Sequence, residues 1–522
     1  MGQRGSDLVK NALSRRVPEK VNGDSVVPYQ GIGQYKPYGN QFGPSIRSCA
    51  DYPSNGDKRV ASLREALEKA GISDGMTIST HHHFRDGDLL VNQLFDAIHD
   101  LGVKNLVWFP SASFPCHEHL IPYLEDGTIH HIEGSMNGPL GKFTSEGRMK
   151  GTGVLRSHGG RYQAVQDGEV EIDIAVIGAG CADPFGNANG LYGSSASGLL
   201  GFALADARYA DKVIVATDHM VEFPCLPWQI HGNYVDFTVE MEQIGDPEKI
   251  VSGTTRITKS PDRLLLGEMT ADFCEATGIL RDGFSFQTGA GGTSLAAADF
   301  IAKKMREKDI KARFARGGSN KYLVNMLEEG LVEYILDGQT FDLEGVRSMR
   351  DNPNHVWTSP FTSYNYHGKG NFASMVDVVV LGATEVDVNF NANVVTHSDG
   401  YLLHGIGGWQ NCLFSKTVIL PVPLFRDRIP ILKDEVTTVC GPGELIDVVI
   451  TERGIAINPL RTDLIDKAKD AGVPVKSIEE LKEEAEKICG RPAKPELDDE
   501  IVAVVKWVDG TVMDAVRKVR TE

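Results

Sequence analysis

The sequence predicts an α/β protein of two tandem, duplicated open α/β domains with mostly parallel sheets and an active site between them. The first indication is an internal repeat, because EIDIAVIGAGCADPFGNAN at 171–189 recurs as MVDVVVLGATEVDVNFNAN at 375–393. Eight positions are identical without a gap, at a constant offset of 204 residues between the two copies. The second indication is an alternation of apolar runs with helical patterns, which favours parallel strands joined by right-handed crossovers.

The pattern divides the chain into an N-terminal arm at 1–60, a first α/β domain at 61–275 and a second at 276–522. The arm is rich in Gly, Pro, Tyr and Gln, so we expect it to lie over the domains or to become ordered in an oligomer. In the first domain, SLREALEKAG and LLVNQLFDAIHDLG predict helices. Predicted strands are GMTIST, NLVWF, IDIAVIGA and KVIVATD, and the last two read as strands covered on both faces.

The second domain repeats this order of elements. Asp282-Gly283 corresponds to Asp74-Gly75, and a strand, a turn, a helix and another strand follow in both copies. His81–His83 therefore occupies the turn that reads Gly289–Gly291 in the second copy. Near the C-terminus SIEELKEEAEKICG predicts a charged helix, and Asp509-Gly510 between two apolar runs predicts a β-hairpin.

The composition restricts the class of partner. A formal net charge of −18 argues against nucleic acid or an anionic membrane surface as the main partner. Eight cysteines occur without a CxxC pair, which is typical of reduced thiols in the cytoplasm. The chain shows no signal-peptide pattern and no apolar run of about 18 residues, so we expect a soluble cytoplasmic protein without a membrane span.

Glu385 is the candidate catalytic residue. It stands where the first copy has Cys181, just after the predicted strand VDVVVLGAT. Ligands of open α/β sheets bind at the carboxyl ends of the strands, where a carboxylate can act as a nucleophile or as a general base. The alternative is a solvated surface glutamate, the common fate of this residue type.

Two glycine-rich turns in the same half are candidate ligand-binding loops. They comprise Gly289, Ala290, Gly291 and Gly292 in the first turn and Gly405, Gly407 and Gly408 in the second. The first turn follows a predicted strand and opens onto a helix, so its backbone N–H groups can approach a ligand oxygen closely. Ordinary tight-turn glycines are the alternative interpretation.

The three consecutive histidines His81, His82 and His83 allow two roles. They can contact an acid substrate, or they can form structural hydrogen bonds. In an extended segment His81 and His83 share one face, which would also suit a metal ion. No HExxH motif and no ligand-spaced Asp/Glu set accompanies them, so we expect no catalytic metal.

Arg85, Arg161 and Arg256 are candidate clamps for substrate carboxylates. Each lies where a predicted strand gives way to a loop, and a guanidinium group can hold a carboxylate through two hydrogen bonds. A surface ion pair is the alternative role of each arginine. Asn391, in the asparagine-rich segment after Glu385, is a further candidate substrate contact.

Long motifs over nearly the whole chain from about residue 60 resemble the citrate lyase alpha subunit family. They include HHHFRDGD, DPFGNANG, IGDPEKIVSGTTRIT, LGATEVDVNFNANV and PGELIDVVITERGIAINP. More distantly, FQTGAGG, GATE and GIGG are similar to three signatures of the CoA-transferase superfamily. The resemblance implies a CoA-transferase-like fold, with Glu385 matching the nucleophilic glutamate and the two glycine turns matching loops that shape the thioester site.

The resemblance also implies an activity and partners. Alpha subunits of this family exchange acetate for citrate on a thioester, giving citryl thioester and free acetate. The thioester belongs to the phosphopantetheine-type arm of an acyl carrier (gamma) subunit or to acetyl-CoA, and a beta subunit then cleaves the citryl thioester. No tightly bound cofactor and an oligomeric complex are implied.

The sequence leaves mechanism and acceptor open. Glu385 can attack the acetyl thioester and form a glutamyl thioester that citrate captures, or citrate can attack directly while Glu385 only positions or polarises. The covalent route is favoured because a glutamate stands where the first copy has Cys181. Competing functions are transfer to a related hydroxy acid such as citramalate, metal-dependent hydrolysis using the histidines, and ligand sensing without turnover.

Overall fold

The computed structural model describes residues 8–37, 43–46, 52–53, 55–250 and 256–520. The strands of the first half are β1 (Leu8–Lys10), β2 (Arg16–Pro18), β3 (Lys20–Val21), β4 (Asp24–Ser25), β5 (Arg59–Val60), β6 (Thr77–Thr80), β7 (Leu106–Pro110), β8 (Ile129–Ile132), β9 (Gly153–Leu155), β10 (Ile174–Ala179), β11 (Cys181–Ala182), β12 (Ala188–Asn189), β13 (Lys212–Thr217) and β14 (Phe237–Glu240). Its helices are α1 (Leu63–Ala70), α2 (Leu90–Asp100), α3 (Ile121–Asp126), α4 (Pro139–Ser145), α5 (His158–Gln166) and α6 (Gly201–Tyr209).

The second half repeats the alternation of strands and helices. Its helices are α7 (Pro261–Ala276), α8 (Gly292–Lys308), α9 (Lys321–Glu328), α10 (Leu343–Asp351), α11 (Pro360–Ser363), α12 (Trp409–Cys412), α13 (Thr462–Asp470) and α14 (Ile478–Cys489). Its strands are β15 (Ser285–Thr288), β16 (Ala312–Ser319), β17 (Val332–Thr340), β18 (His355–Trp357), β19 (Val378–Val380), β20 (Glu385–Asp387), β21 (Ala392–Asn393), β22 (Val418–Pro421), β23 (Phe425–Arg426), β24 (Ile429–Pro430), β25 (Leu432–Lys433), β26 (Val448–Thr451), β27 (Gly454–Ile457), β28 (Leu497–Lys506) and β29 (Val512–Val519).

Each half is built around one large parallel sheet, which confirms the predicted fold class. The first sheet has the order β5-β14-β13-β10-β6-β7-β8, and the second has the order β18-β17-β16-β15-β19-β22-β26-β27. Among the described strands of these two sheets, only the edge strand β27 runs antiparallel to its neighbour. Strand order reverses between β6 and β10 in the first sheet and between β15 and β19 in the second, and ligands bind at the carboxyl ends of strands at such points.

Helix α1 shows how local sequence sets the boundaries of an element. The Ser62 hydroxyl accepts a hydrogen bond from Glu65 N at 3.2 Å and caps the first turn. Gly71 ends the helix with φ of 77°, a left-handed conformation that glycine adopts without strain. Leu63 and Leu67 lie on one face and are buried, so the helix packs through its apolar face.

The sequence repeat is a structural repeat. Hairpin β11–β12 pairs Cys181 with Asn189, and hairpin β20–β21 pairs Glu385 with Asn393, at the same offset as in the sequence. Each hairpin follows the central strand of its own sheet. Cys181 and Glu385 therefore occupy equivalent backbone positions in the two halves.

The turn inside each hairpin is held by an equivalent aspartate. Asp183 Oδ1 accepts a hydrogen bond from Asn187 N at 3.1 Å, and Asp387 Oδ1 accepts one from Asn391 N at 3.0 Å. The Asn187 side chain also bonds Asp183 at 2.9 Å, as Asn391 bonds Asp387 at 3.1 Å. The Asp and Asn residues shared by the two sequence copies thus maintain the backbone of the turn.

The two halves share their largest hydrophobic core. That core joins residues of the first sheet such as Ile78 and Val176 with residues of the second such as Val379 and Leu420. Trp507, at the tip of the C-terminal hairpin, belongs to the same core and is 1% exposed. The halves therefore form one continuous packing unit.

Strand pairing crosses the predicted domain boundaries. Arg59–Val60, the end of the predicted arm, forms an edge strand of the first sheet. The C-terminal hairpin predicted around Asp509-Gly510 is present, and it pairs through β28 with β9 of the first half. The chain thus returns to its first half at the end, and the boundaries at 60/61 and 275/276 stay predictions.

Asn11, Val17 and Tyr29 of the N-terminal arm lie against the C-terminal hairpin. Asn11 Nδ2 donates hydrogen bonds to the carbonyl oxygens of Val512 at 3.2 Å and Met513 at 2.6 Å. Val17 is fully buried in a small cluster with Val504 and other hairpin residues. In the described ranges, no helix combines the length and the hydropathy needed to cross a membrane.

We predict that Trp507→Ala lowers the free energy of unfolding by about 3–5 kcal/mol, because a large buried side chain is lost. The Trp507 ring packs 5.8 Å from the ring of Phe414 and 6.1 Å from that of Tyr29, measured between centroids. Urea denaturation followed by circular dichroism measures the change. Leu460→Ala, at a side chain that is 68% exposed, is the control and should shift stability by less than about 0.5 kcal/mol. Equal effects of the two substitutions would show that the hairpin lies outside the cooperative core.

Candidate active site

Three turns meet at the carboxyl ends of β15 and β19. Gly289 N donates to Val380 O at 2.9 Å, which fixes the first glycine turn against the end of β19. Trp409 Nε1 donates to Gly382 O at 2.9 Å, which ties the second glycine turn to the turn before Glu385. The structure therefore brings both glycine turns and the segment that carries Glu385 to one edge of the second sheet.

The second glycine turn also touches the first half. Gly405 N donates to Asn137 Oδ1 at 2.8 Å, and a Cβ at Gly405 would overlap Ser135. Gly407 has φ of 62°, and its carbonyl accepts a hydrogen bond from His158 N at 2.7 Å. Glycine is required at 405 for this close approach and favoured at 407 by the left-handed backbone. The turn is thus part of the seam between the halves.

Glu385 begins β20 and is completely buried. Its Oε1 accepts hydrogen bonds from Ser398 Oγ at 2.7 Å, from Thr437 Oγ1 at 3.0 Å and from Lys433 Nζ. Its Oε2 accepts from Asn393 Nδ2 at 3.0 Å and from Thr437 N at 2.7 Å. The alternative of a solvated surface glutamate is therefore wrong.

The surroundings keep Glu385 ionised. Burial on its own would raise the pKa of this carboxyl group. The Lys433 ammonium, together with the hydrogen bonds from Asn393 and Ser398, outweighs burial and holds the pKa below its ordinary value. The site thus contains a buried anion at neutral pH, compensated by one buried cation.

The first half keeps the same scaffold with different chemistry. Cys181 Sγ lies 3.2 Å from Cys225 Sγ, and Asn189 Nδ2 donates to Cys225 Sγ at 3.3 Å. Asn189 is the counterpart of Asn393, which bonds Glu385. One asparagine position therefore serves a thiol pair in one half and a carboxylate in the other.

All three histidines of the HHH segment have partners within the first half. Burial lowers the pKa of His83 to about 3 and that of His82 well below its ordinary value, so both rings are neutral. The ring contacts are His81 Nε2 with Asp206 Oδ2 at 2.7 Å, His82 Nδ1 with Ser111 Oγ at 2.5 Å and His83 Nε2 with Gly178 O at 2.7 Å. Structural hydrogen bonds, one of the two roles that the sequence allows for these histidines, are therefore present.

His82 is the histidine that faces the seam. Its ring centroid lies 4.8 Å from that of His158 and 5.3 Å from that of Phe202. His158 in turn bonds Gly407 through its backbone N–H, and burial lowers the pKa of its ring to about 3. His82 therefore lies next to the second glycine turn through His158, whereas the His81 ring is bonded to Asp206.

Arg161 lies in helix α5 rather than in the expected loop. Its guanidinium bonds Asp206 at 2.6 and 2.9 Å and Phe109 O at 2.9 Å. The Asn391 side chain is likewise bonded to Asp387 and to Gly443 N, at 3.1 and 3.0 Å. A role of Arg161 or Asn391 in substrate binding stays a prediction, and it requires each side chain to leave these partners.

The other two predicted arginines lie in different surroundings. Arg85 is 5% exposed, donates to Thr340 O in the second half and packs over the ring of Phe341 at 4.5 Å. Arg256 is exposed, and its backbone carbonyl adjoins Gly292 at the start of α8. Arg85 thus reaches across the seam, and Arg256 lies beside the first glycine turn.

The decisive observation for the family is a family model that matches most of the chain. The model of the family described as citrate lyase, alpha subunit (CitF) matches residues 56–519. The chain belongs to the citrate lyase alpha subunit family. The citrate lyase alpha chain of Escherichia coli is 42% identical over 465 residues, which cover 89% of this chain and 91% of that protein.

Solved structures agree with the family and with the fold. The alpha subunit of citrate lyase from Streptococcus mutans, in complex with citrate, is 41% identical with a TM-score of 0.91, covering 98% of this chain and 100% of that chain. An acyl-CoA transferase from Escherichia coli, solved as a thioester complex with CoA, is 17% identical with a TM-score of 0.51. That alignment covers 77% of this chain and 89% of the transferase. At that identity the likeness shows a CoA-transferase-like fold alone.

In this member of the citrate lyase alpha subunit family, the sequence did not point to the four residues that hold Glu385, which are Asn393, Ser398, Lys433 and Thr437. Lys433 lies 48 residues after Glu385, on β25, which pairs in parallel with β20. A lysine directly after the apolar run IPIL at 429–432 was the available signal. In the described residues, no three His, Cys, Asp or Glu side chains are placed to share a metal ion.

We predict that Lys433→Met lowers the free energy of unfolding at pH 7 by about 3–5 kcal/mol, because it leaves the buried Glu385 carboxylate without a counter-charge. In this variant burial raises the pKa of Glu385, so the deficit shrinks as pH falls and the carboxylate protonates. In the wild type the depressed pKa of Glu385 stabilises the fold above about pH 4.5, and this contribution is lost as pH falls through the folded-state value. Urea denaturation between about pH 2.5 and pH 8 measures both trends.

The double variant Glu385→Gln with Lys433→Met is the control. It removes both charges and should be more stable than Lys433→Met alone at pH 7. Strict additivity of the two single substitutions would contradict a direct ion pair.

Proposed function

We propose that this chain exchanges the acetyl group of an acyl thioester for a citryl group and releases acetate. The observation that carries the proposal is Glu385, an ionised and fully buried carboxylate where β20 follows the end of β19. Two glycine turns lie at the same sheet edge, and their N–H groups other than those of Gly289 and Gly405, which are already bonded, can stabilise a developing oxyanion. Membership of the family and the citrate complex of the Streptococcus mutans relative support citrate as the acceptor.

The donor and partners follow from the same family relationship. The donor is the acetyl thioester of a phosphopantetheine-type arm on an acyl carrier (gamma) subunit, or acetyl-CoA, with no tightly bound cofactor. A beta subunit then cleaves the citryl thioester. The complex acts in the cytoplasm as an oligomer, and Arg85, Arg256 and the seam around His82 are its proposed contacts with the acid.

In the covalent route Glu385 is the nucleophile. One carboxylate oxygen attacks the carbonyl carbon of the acetyl thioester, the thiolate leaves, and an acetyl–glutamyl anhydride forms. The thiolate then attacks the glutamyl carbonyl carbon and expels acetate, which leaves a glutamyl thioester. A citrate carboxylate attacks the glutamyl carbonyl carbon of that thioester, the thiolate leaves, and a citryl–glutamyl anhydride forms. The thiolate then attacks the citryl carbonyl carbon, expels the Glu385 carboxylate and gives citryl thioester.

The hydrogen bonds of Glu385 set a condition on this route. Oε1 accepts from three donors and Oε2 from two, so neither oxygen is free to attack until a donor is withdrawn. Ser398 is the donor that can leave most readily, because it adjoins the loop before the second glycine turn and carries no charge. In the direct route Glu385 keeps all five hydrogen bonds, and a citrate carboxylate attacks the acetyl thioester itself.

We predict that Glu385→Gln lowers kcat for citrate-dependent acetate release from acetyl-CoA by about 10³-fold or more, because the amide is not a nucleophile. Wild-type protein incubated with acetyl-CoA and then treated with hydroxylamine or borohydride should carry a modification on the peptide containing Glu385. Glu452→Gln, on the turn after β26, serves as the carboxylate control and should leave both the rate and the modification unchanged. An unmodified Glu385 together with an active Glu385→Gln variant would sink the covalent route and leave the direct one.

We predict that a panel of hydroxy acids ranks citrate first, with kcat/KM about 10-fold or more above that of citramalate. Citrate has one more carboxylate than citramalate. A buried cation that citramalate leaves without an anion makes binding of the smaller acid less favourable. Initial rates of acetate release at constant acetyl-CoA give the ranking. A higher kcat/KM for citramalate would make citramalate the acceptor and would leave the proposed reaction type unchanged.

A further inference from the structure

The seam between the halves contains a buried arginine that the sequence did not single out. Arg316 lies on β16 and is 1% exposed. Its register partner on β15 is Gln287, two residues before Gly289. The guanidinium packs over the ring of Tyr364 at 4.5 Å from the centroid.

Arg316 has only neutral partners among the described residues. Nη1 donates to Gln287 Oε1 at 2.5 Å and Nη2 donates to Ser363 O at 3.2 Å. Nε has no hydrogen-bond partner, and in the described ranges no carboxylate lies within 4 Å of the guanidinium. A buried guanidinium without a counter-charge is costly, so the site is electrostatically incomplete as it stands.

The position of Arg316 connects it to the proposed reaction centre. A Cβ at Gly408, in the second glycine turn, would lie 3.1 Å from the Tyr364 hydroxyl oxygen. The Tyr364 ring stacks with Phe202 at 6.5 Å, and Phe202 packs 5.3 Å from His82, both measured between centroids. Arg316 therefore lies on the second-half side of the seam that holds His82 on the first-half side.

Arg85 is a second buried guanidinium of this kind. It forms no ion pair among the described residues, and its contacts are Thr340 O and the ring of Phe341. Burial lowers the pKa of Arg85 to about 10 although Asp337 and Asp342 oppose this shift, and neither acid forms an ion pair with it. Asp337, which lies on β17 with Thr340, is already bonded to Ser319, Thr340 and His355. Within the described part of the chain, two arginines thus enter the seam from opposite halves without a carboxylate of their own.

We propose that Arg316 binds a carboxylate of the acceptor acid in the seam and that Arg85 binds a second one. A tricarboxylate keeps two carboxylates when its third forms the thioester, and two uncompensated guanidinium groups match that number. The proposal rests on the proposed function and deepens it, because it makes Arg316 a residue that selects tricarboxylates. Neutral His82 and His158 add polar walls without competing charge.

The test measures citrate affinity separately from transfer. Arg316→Met should weaken citrate binding, measured by calorimetry without any thioester, about 10- to 100-fold, as expected for loss of a charge-assisted hydrogen bond. In the transfer assay KM for citrate should rise by a similar factor while KM for acetyl-CoA stays unchanged. Arg316→Lys keeps the charge but loses the planar fork, so its affinity and its KM for citrate should fall between those of the wild type and those of Arg316→Met. Arg313→Met, at an exposed arginine of the same strand, is the matched control and should leave both values unchanged.

Acceptors of different charge supply the second measurement. Citramalate has only one carboxylate besides the reacting one. Arg316→Met and Arg85→Met should therefore both weaken the binding of citrate, whereas only one of the two substitutions should weaken the binding of citramalate. Melting temperatures and the unchanged KM for acetyl-CoA separate a binding defect from misfolding. Citrate affinity in Arg316→Met equal to that of wild type overturns the proposal. If wild-type protein binds citrate but releases no acetate, the proposed transferase function is refuted. The citrate affinity of Arg316→Met then still decides whether Arg316 binds the acid.

Discussion

The burial of one negative charge shapes the second half of this protein. Glu385 lies in the core with no exposed surface, and a carboxylate there is tolerable only with a cation and a full set of donors around it. Lys433 arrives on β25, Thr437 from the segment after it, and Asn393 from the facing strand β21. The small three-stranded sheet β21-β20-β25 is thus arranged around the carboxylate, and its pairing and the ionisation of Glu385 depend on each other.

Duplication explains which parts of this arrangement can be read from sequence. The shared Asp and Asn positions predict two equivalent hairpins, and the structure has both, with Cys181 and Glu385 at matching places. The continuous apolar runs predict buried parallel strands, and β10 is buried at all six positions. These features are local or repeated, so a single chain contains enough signal to infer them.

Contacts between distant segments could not be inferred in this way. The partner of Glu385 lies 48 residues away, and the expected clamp Arg161 is bonded to Asp206 from another helix. The HHH segment was expected to place His81 and His83 on one face, but the sequence did not indicate that both would bond inside the first half while His82 faces the seam. Arg316 belongs to no motif, and only its burial without an ion pair among the described residues, which it shares with Arg85, marks it as unusual. Residue type and spacing predicted that Glu385 and the first glycine turn follow the ends of strands, but not the direction in which each side chain points.

The pairing of β28 with β9 has a consequence for synthesis of the chain. Residues 153–155 wait for residues 503–505, which are 350 positions later. At roughly 5–20 residues per second, a ribosome needs about 20–70 s to deliver them. During that interval the first half can form its large sheet, but the core that receives Trp507 stays open and β9 lacks this neighbour. The nascent protein therefore presents apolar surface and an unpaired strand edge until residues 503–507 have been delivered.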